Sequence, residues 1–206
     1  VEVNRLASEL AREIAGDDVL VGGDMGPTGQ LLAPLGPLVP EEIVTAYAEQ
    51  ALGLVEGGAD FLLVETMSDL EEAKAAIEGA RLATDLPIFC TFSFDTHGRT
   101  MMGLRPARAA GEIAPLVRGI GANCGRDPAE YVDFMQAMRM AAPQAVLWSK
   151  PNAGLPHLVG ERVVYDATPE QMAQIALQLR DAGAQVIGGC CGTTPEHIAA
   201  MAETLK

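Results

Sequence analysis

The feature that most constrains this chain is an alternation that runs from end to end. Short, nearly continuous apolar runs give way to longer amphipathic ones. Residues 1–16 place Leu6, Leu10 and Ile14 at helical spacing and stop at Gly16. The stretch "VLVGGDMGP" (19–27) is an apolar run broken by glycine. Residues 40–58 read as an amphipathic helix with acidic residues in its first turn and glycines at its end. "DFLLVET" (60–66) reads as a buried strand, and 68–84 as a helix opened by Ser68 with Glu71 at the capping-box position. "PIFCTFSF" (87–94) is the next strand. The second half repeats the plan, with helices over about 105–117 and 128–141 and strands over 119–125 and from 145. A helix over 168–183 has Thr168 as N-cap and Pro169 in the first helical position. The last strand lies in "AQVIGGCCG" (184–192), and a helix over 194–206 repeats the Thr-Pro-Glu opening. Apolar strands alternating with helices of this length require a parallel sheet covered by helices. The reading gives six strands and seven helices in one domain spanning 1–206. An open doubly wound sheet accepts six strands, whereas a closed eight-stranded barrel needs two more.

Composition narrows the function classes. A formal net charge of −14 leaves no clustered Lys and Arg for a phosphate backbone, and disfavours nucleic acid and anionic membrane surfaces alike. No apolar run reaches the roughly 18 residues of a membrane span. No basic n-region with an apolar core opens the chain. Four cysteines in 206 residues do not make a disulfide framework. The expectation is a cytoplasmic protein.

Polar residues gather where the strands finish: Asp24, Glu65, Ser93, Asn123 with Cys124, Asn152, and Cys190 with Cys191. In a parallel barrel those ends share one face, where barrel enzymes keep their sites. Taken singly, Asp24 and Ser93 are equally well read as caps of the following helices. Adjacent cysteines are poor disulfide partners for each other. A barrel makes Cys124 a neighbour of the 190–191 pair, and three thiolates describe a zinc site with a vacant fourth position. The competing readings are small buried residues at a strand end, and a redox-active group without metal. Cys90 lies mid-strand and reads as a core thiol. His97, His157 and His197 have no ligand-like spacing, and His197 reads as a surface or capping residue of the last helix.

The motifs "GANCG", "PNAG" followed by "LP", and "GGCCGTTPEHI" resemble the signatures of the homocysteine S-methyltransferase family. "GPTG", "EGGADFLLVET", "DLEEAKAAI" and "GRTMMG" agree along nearly the whole chain. The resemblance implies a TIM (β/α)8-type barrel with zinc at its C-terminal face, held by Cys124, Cys190 and Cys191. It implies that Glu65 holds the amino group of L-homocysteine and that Asn152 is a strand-end residue that approaches zinc when substrate is absent. Asp24 joins Glu65 and Asn152 as a substrate-binding candidate, with stabilisation of its own loop as the alternative. The family's first strand, reading like D-G-A-M-G-T, and its second, ending in E-T-N-T-F, have no counterpart here. The expected domain is therefore a truncated or shortened barrel whose exposed edges are the 19–24 and 184–190 strands. Such edges seek partners, so a homodimer or a complementing chain is expected. The implied reaction is methyl transfer to the homocysteine thiol. The favoured donor is a methyl-corrinoid (cobalamin) carried by another domain or a corrinoid protein, since no Asp-x-His-x-x-Gly motif is present. S-methylmethionine and betaine are the alternative donors, and an aromatic content of 4% argues against an aromatic cage for betaine. The alternative function is a zinc-binding, catalytically incomplete subunit that needs a partner.

Overall fold

The computed structural model describes all residues from Val1 to Lys206. Six strands, β1 to β5 and β8, share one sheet in the order β1-β2-β3-β4-β5-β8, and seven α-helices alternate with them. The strand pairs β1–β2, β4–β5 and β5–β8 are parallel, as the alternation demands. The chain divides into two compact units, one formed by 1–90 with 116–118 and the other by 91–115 with 119–206.

The first unit begins with α1 (Glu2–Ala15), β1 (Gly22–Met25), α2 (Pro40–Glu56), β2 (Phe61–Met67) and α3 (Leu70–Ala83), and ends within β3 (Ile88–Phe92). β1 and β2 pair from Gly22↔Phe61 to Met25↔Val64. The helical spacing of Leu6, Leu10 and Ile14 is confirmed, but that stripe is not buried: the three are 50%, 63% and 82% exposed. It is the opposite side of α1, with Asn4, Arg5 and Ser8, that meets α2 at Gly53 and Gly57, and Ser8 is its one buried residue. Arg12 fastens the end of α1. Its guanidinium donates to the carbonyls of Gly16 (2.8 Å), Val19 (3.2 Å) and Gly58 (2.9 Å) and pairs with Asp60. The Asp60 carboxylate also accepts the Val21 N–H at 2.7 Å, and these two donors, Val21 first, hold its pKa below the usual range.

The cap of α3 differs from the sequence reading. Asp69, not Ser68, is the N-cap, and its carboxylate accepts from the N–H groups of Glu71 (2.7 Å) and Glu72 (3.1 Å). A carboxylate satisfies two first-turn donors at once and complements the helix dipole, which a hydroxyl one residue earlier does not. Glu72 itself is buried, and its carboxylate accepts the Thr28 N–H at 2.7 Å and hydroxyl at 2.6 Å. The Tyr47 hydroxyl donates to Gly26 O at 2.9 Å. The segment that follows β1 is thereby pinned to α2 and α3.

The second unit carries the rest of β3, then α4 (Pro106–Ile113), β4 (Gly119–Cys124), α5 (Glu130–Ala141), β5 (Val146–Pro151), α6 (Pro169–Asp181), β8 (Val186–Ile187) and α7 (Pro195–Leu205). β4 and β5 pair over their whole length, from Gly119↔Val146 to Cys124↔Pro151. β8 is shorter than its apolar run suggests. Its backbone nevertheless keeps contact with β5 beyond Ile187, through Gly188 N–H to Ser149 O (3.0 Å) and Cys190 N–H to Pro151 O (2.9 Å). Tyr131, Phe134, Met135 and Met138 of α5 are buried, and Met172, Ala176 and Met201 join α6 to α7. Thr168 and Gln171 form the capping box of α6. His197 is a capping residue but not a surface one: its Nδ1 meets the Thr194 N–H at 3.1 Å, and its Nε2 lies 2.8 Å from Ala167 O.

An antiparallel hairpin, β6 (His157–Val159) with β7 (Arg162–Val164), was not anticipated. Its strands are three residues long and almost wholly exposed, so no alternation of apolar and polar positions marks them.

Candidate metal centre

Cys124 is the last residue of β4, and Cys190 and Cys191 follow β8. Successive strand residues point to opposite faces. Yet Asn123 and Cys124 both reach Cys190: the Asn123 Nδ2 lies 3.8 Å and the Cys124 Sγ 3.2 Å from its sulfur. The backbone explains this. Cys124 has φ 61 and Gly125 φ 73, so two consecutive left-handed residues turn the chain as the strand ends. For a non-glycine residue that conformation is unfavourable by roughly 1–2 kcal/mol, and the surrounding contacts must hold it.

The three sulfurs form a compact triangle with sides of 3.2 Å (124–190), 3.6 Å (124–191) and 3.9 Å (190–191). Tetrahedral zinc at about 2.3 Å from each thiolate requires sulfurs about 3.8 Å apart. The donor set fits that ion in chemistry, and the 124–191 and 190–191 sides match that spacing to within about 0.2 Å, whereas the 124–190 side is shorter. No disulfide joins them. The Cys190 thiol is pushed down to about 5, first by its hydrogen bond with Cys124, with Asn123 and the Cys191 N–H assisting. The same contact, reinforced by burial, pushes Cys124 up. Cys90 is fully buried and its thiol is raised by burial alone, as a core residue should be.

Four side chains frame the triad. Thr91 donates its hydroxyl to Asn123 Oδ1 at 2.8 Å, which fixes the amide end of Asn123 toward Cys190. Asn152 donates from Nδ2 to Gly125 O at 2.8 Å and accepts the Cys191 N–H on Oδ1 at 3.0 Å. Tyr131 donates to Cys124 O at 2.7 Å. Tyr165, placed by the β6–β7 hairpin, stands beside Cys191, and its hydroxyl is raised above the usual tyrosine range, first by desolvation and then by that thiol. Sequence reading noted Asn123 and Asn152 but not Thr91, Tyr131 or Tyr165. Tyr131 had a signal, since it falls in the first turn of the helix after Cys124. Tyr165 had none.

The structure thus brings Cys124, Cys190, Cys191 and Asn152 together in the second unit. Asp24 and Glu65 stand near the ends of β1 and β2 in the first unit. Asp24 is exposed, and its carbonyl accepts from Gln50 Nε2 at 3.3 Å. Glu65 is half-buried and is followed by Thr66 at φ 63, a strained position for a β-branched residue.

The sequence profile of homocysteine S-methyltransferases matches residues 1–205. The chain belongs to the homocysteine S-methyltransferase family. Among its relatives, methionine synthase of Mycobacterium leprae (strain TN) is 37% identical over 211 residues, covering 98% of this chain and 17% of its own length. Methionine synthase of Mycobacterium tuberculosis (strain ATCC 25618 / H37Rv) is 38% identical over 208 residues, covering 96% and 17%. The chain therefore spans about a sixth of these curated relatives. In three dimensions it resembles the apo form of the homocysteine methyltransferase MmuM from Escherichia coli, with a TM-score of 0.78 and 24% identity. That match covers 98% of this chain and 73% of the other. The likeness establishes the TIM-barrel type of fold that the sequence led us to expect.

Proposed function

We propose that this chain uses a zinc ion held by Cys124, Cys190 and Cys191 to transfer a methyl group to the thiol of L-homocysteine, giving methionine. The observation that carries the reading is the triangle of sulfurs, whose sides of 3.2 to 3.9 Å suit a single divalent ion. A free thiol has a pKa near ~8.5 and is mostly protonated at neutral pH. When bound, zinc keeps a coordinated thiol deprotonated and nucleophilic. The residues of the chain do the rest. The three thiolates would hold the ion, and the frame of Asn123, Asn152 and Tyr131 orients them. Glu65 pairs with the substrate ammonium and sets its register, and the backbone amides of the loop after Asp24 hold the carboxylate. In the transfer the carbon–donor bond breaks as the sulfur–carbon bond forms, and the thiol proton passes to solvent on binding. The favoured donor is a methyl-corrinoid carried by another domain or protein, a reading supported by the similarity to methionine synthases.

The test is calorimetric titration with L-homocysteine in buffers of different ionisation enthalpy. We expect about one proton released per thiol bound, and no binding after zinc is stripped. Binding that survives complete removal of zinc would refute the reading. A second expectation concerns Glu65. A charge-assisted hydrogen bond contributes about 1.5–3 kcal/mol, so Glu65→Gln should weaken L-homocysteine by roughly 10- to 100-fold. A simple alkyl thiol, which has no ammonium, should be almost unaffected. Equal weakening of both ligands would remove Glu65 from the site.

A further inference from the structure

We infer that Glu72 is a positioning residue that shapes the loop after β1 for the α-carboxylate of the substrate, a role that rests on the homocysteine reading proposed above. Glu72 lies in the first turn of α3, yet it is only 3% exposed. Burying an ionised carboxylate is unfavourable unless strong donors meet it. Its own helix does not require it there, because Asp69 already caps α3 and accepts the Glu72 N–H at 3.1 Å. The side chain is used 44 residues earlier instead. Its Oε1 accepts the Thr28 N–H at 2.7 Å and the Thr28 hydroxyl at 2.6 Å. The Tyr47 hydroxyl lies 3.4 Å from the same oxygen and donates to Gly26 O at 2.9 Å. Residues 26–30 are all exposed, so these two buried side chains of α2 and α3 fix a loop that packing does not.

The place of the loop gives the tie a use. β1 and β2 run parallel and pair up to Met25↔Val64, so Gly26 stands level with Glu65 one step further on. In an α-amino acid the ammonium and the carboxylate share one carbon. Donors for the carboxylate must therefore stand beside the acceptor for the ammonium, which is where this loop runs. Pro27 has no N–H, and the Thr28 N–H is taken by Glu72. The next donor along the loop is Gly29, whose φ of 75 turns the chain just past the tie. Glu72 thus acts on the substrate only through Thr28.

The experiment uses the zinc-loaded full chain with Glu72→Leu, which removes the acceptor, and Glu72→Gln, which keeps it, once circular dichroism has confirmed the fold. Each is titrated with L-homocysteine and with 3-aminopropanethiol, which retains thiol and ammonium but has no carboxylate. In Glu72→Leu, L-homocysteine should bind roughly 10-fold more weakly, while 3-aminopropanethiol and zinc bind as in the parent. Glu72→Gln should return L-homocysteine to within about threefold of the parent. Thr28→Val tests the same contact from the exposed side without touching the core, and should weaken L-homocysteine alone by about threefold. Equal weakening of both thiols, no weakening of either, or a Glu72→Gln protein no better than Glu72→Leu would overturn the inference. Failure of the homocysteine reading is seen on the parent alone, as equal affinity for the two thiols. A metal-free measurement isolates the tie: amide hydrogen exchange over residues 26–30 should be at least about tenfold faster in Glu72→Leu than in the parent. Equal exchange would overturn the tie, whatever the thiols do.

Discussion

Replacing Cys124 with serine will leave a folded chain that no longer retains zinc. The sulfur lies at the open end of β4, with its half-buried side chain outside the apolar core, so its exchange for oxygen creates no cavity. What is lost is one of three thiolates. Groups that only orient ligands contribute about 10- to 100-fold to metal affinity, and a ligand contributes more. We expect a fall of at least about a hundredfold, read as loss of stoichiometric zinc after dialysis against a weak chelator. Homocysteine binding should vanish with it. The Cys90→Ser protein is the control, because that thiol belongs to the core and its exchange should affect stability but not metal content. One retained equivalent of zinc in the Cys124→Ser protein would take this residue out of the ligand set.

The second large effect is structural and comes from a residue with no side chain. Gly121 sits mid-strand in β4, opposite Trp148 of β5. A Cβ at this position would lie 1.7 Å from the Trp148 carbonyl oxygen and 2.5 Å from its carbonyl carbon. Backbone atoms of a paired strand cannot rotate away as a side chain can, so Gly121→Ala must force β4 and β5 apart. Overpacking of this kind is unfavourable by about 3 kcal/mol or more. In a chain of this size that corresponds to a loss of roughly 6–12 °C in Tm, measurable by thermal unfolding. The same two strands end in Cys124 and just before Asn152, so zinc affinity should fall together with stability. A Gly121→Ala protein that melts with the parent would show that the strands have room to separate.

How much of this could be read from the chain follows from what each part depends on. The helices over 40–56, 169–181 and 195–205 were legible because their caps are local: Pro40, the Thr168–Gln171 pair and Thr194 act within one turn. Strands β2, β3 and β4 were legible because they are nearly continuously apolar, whereas the exposed β6 and β7 were not. The cysteine triad was legible as a proposal, since parallel strands deliver their ends to one side and the residue types suit one ion. The frame around it was not. The engagement of Asn152 with two backbone segments depends on which strand lies between which, and sequence spacing does not reveal that. Tyr165 reaches Cys191 only because an exposed hairpin places it there. The stripe on α1 shows the opposite failure: helical spacing located the apolar residues correctly and said nothing of whether they are covered.

The left-handed backbone at Cys124 sets two selective pressures against each other. Glycine there would relax the chain by about 1 kcal/mol while removing the sulfur. In zinc-free medium, a library of this protein sorted for heat resistance alone should drift toward glycine at 124 and lose its chemistry in the same step, whereas bound zinc opposes that drift.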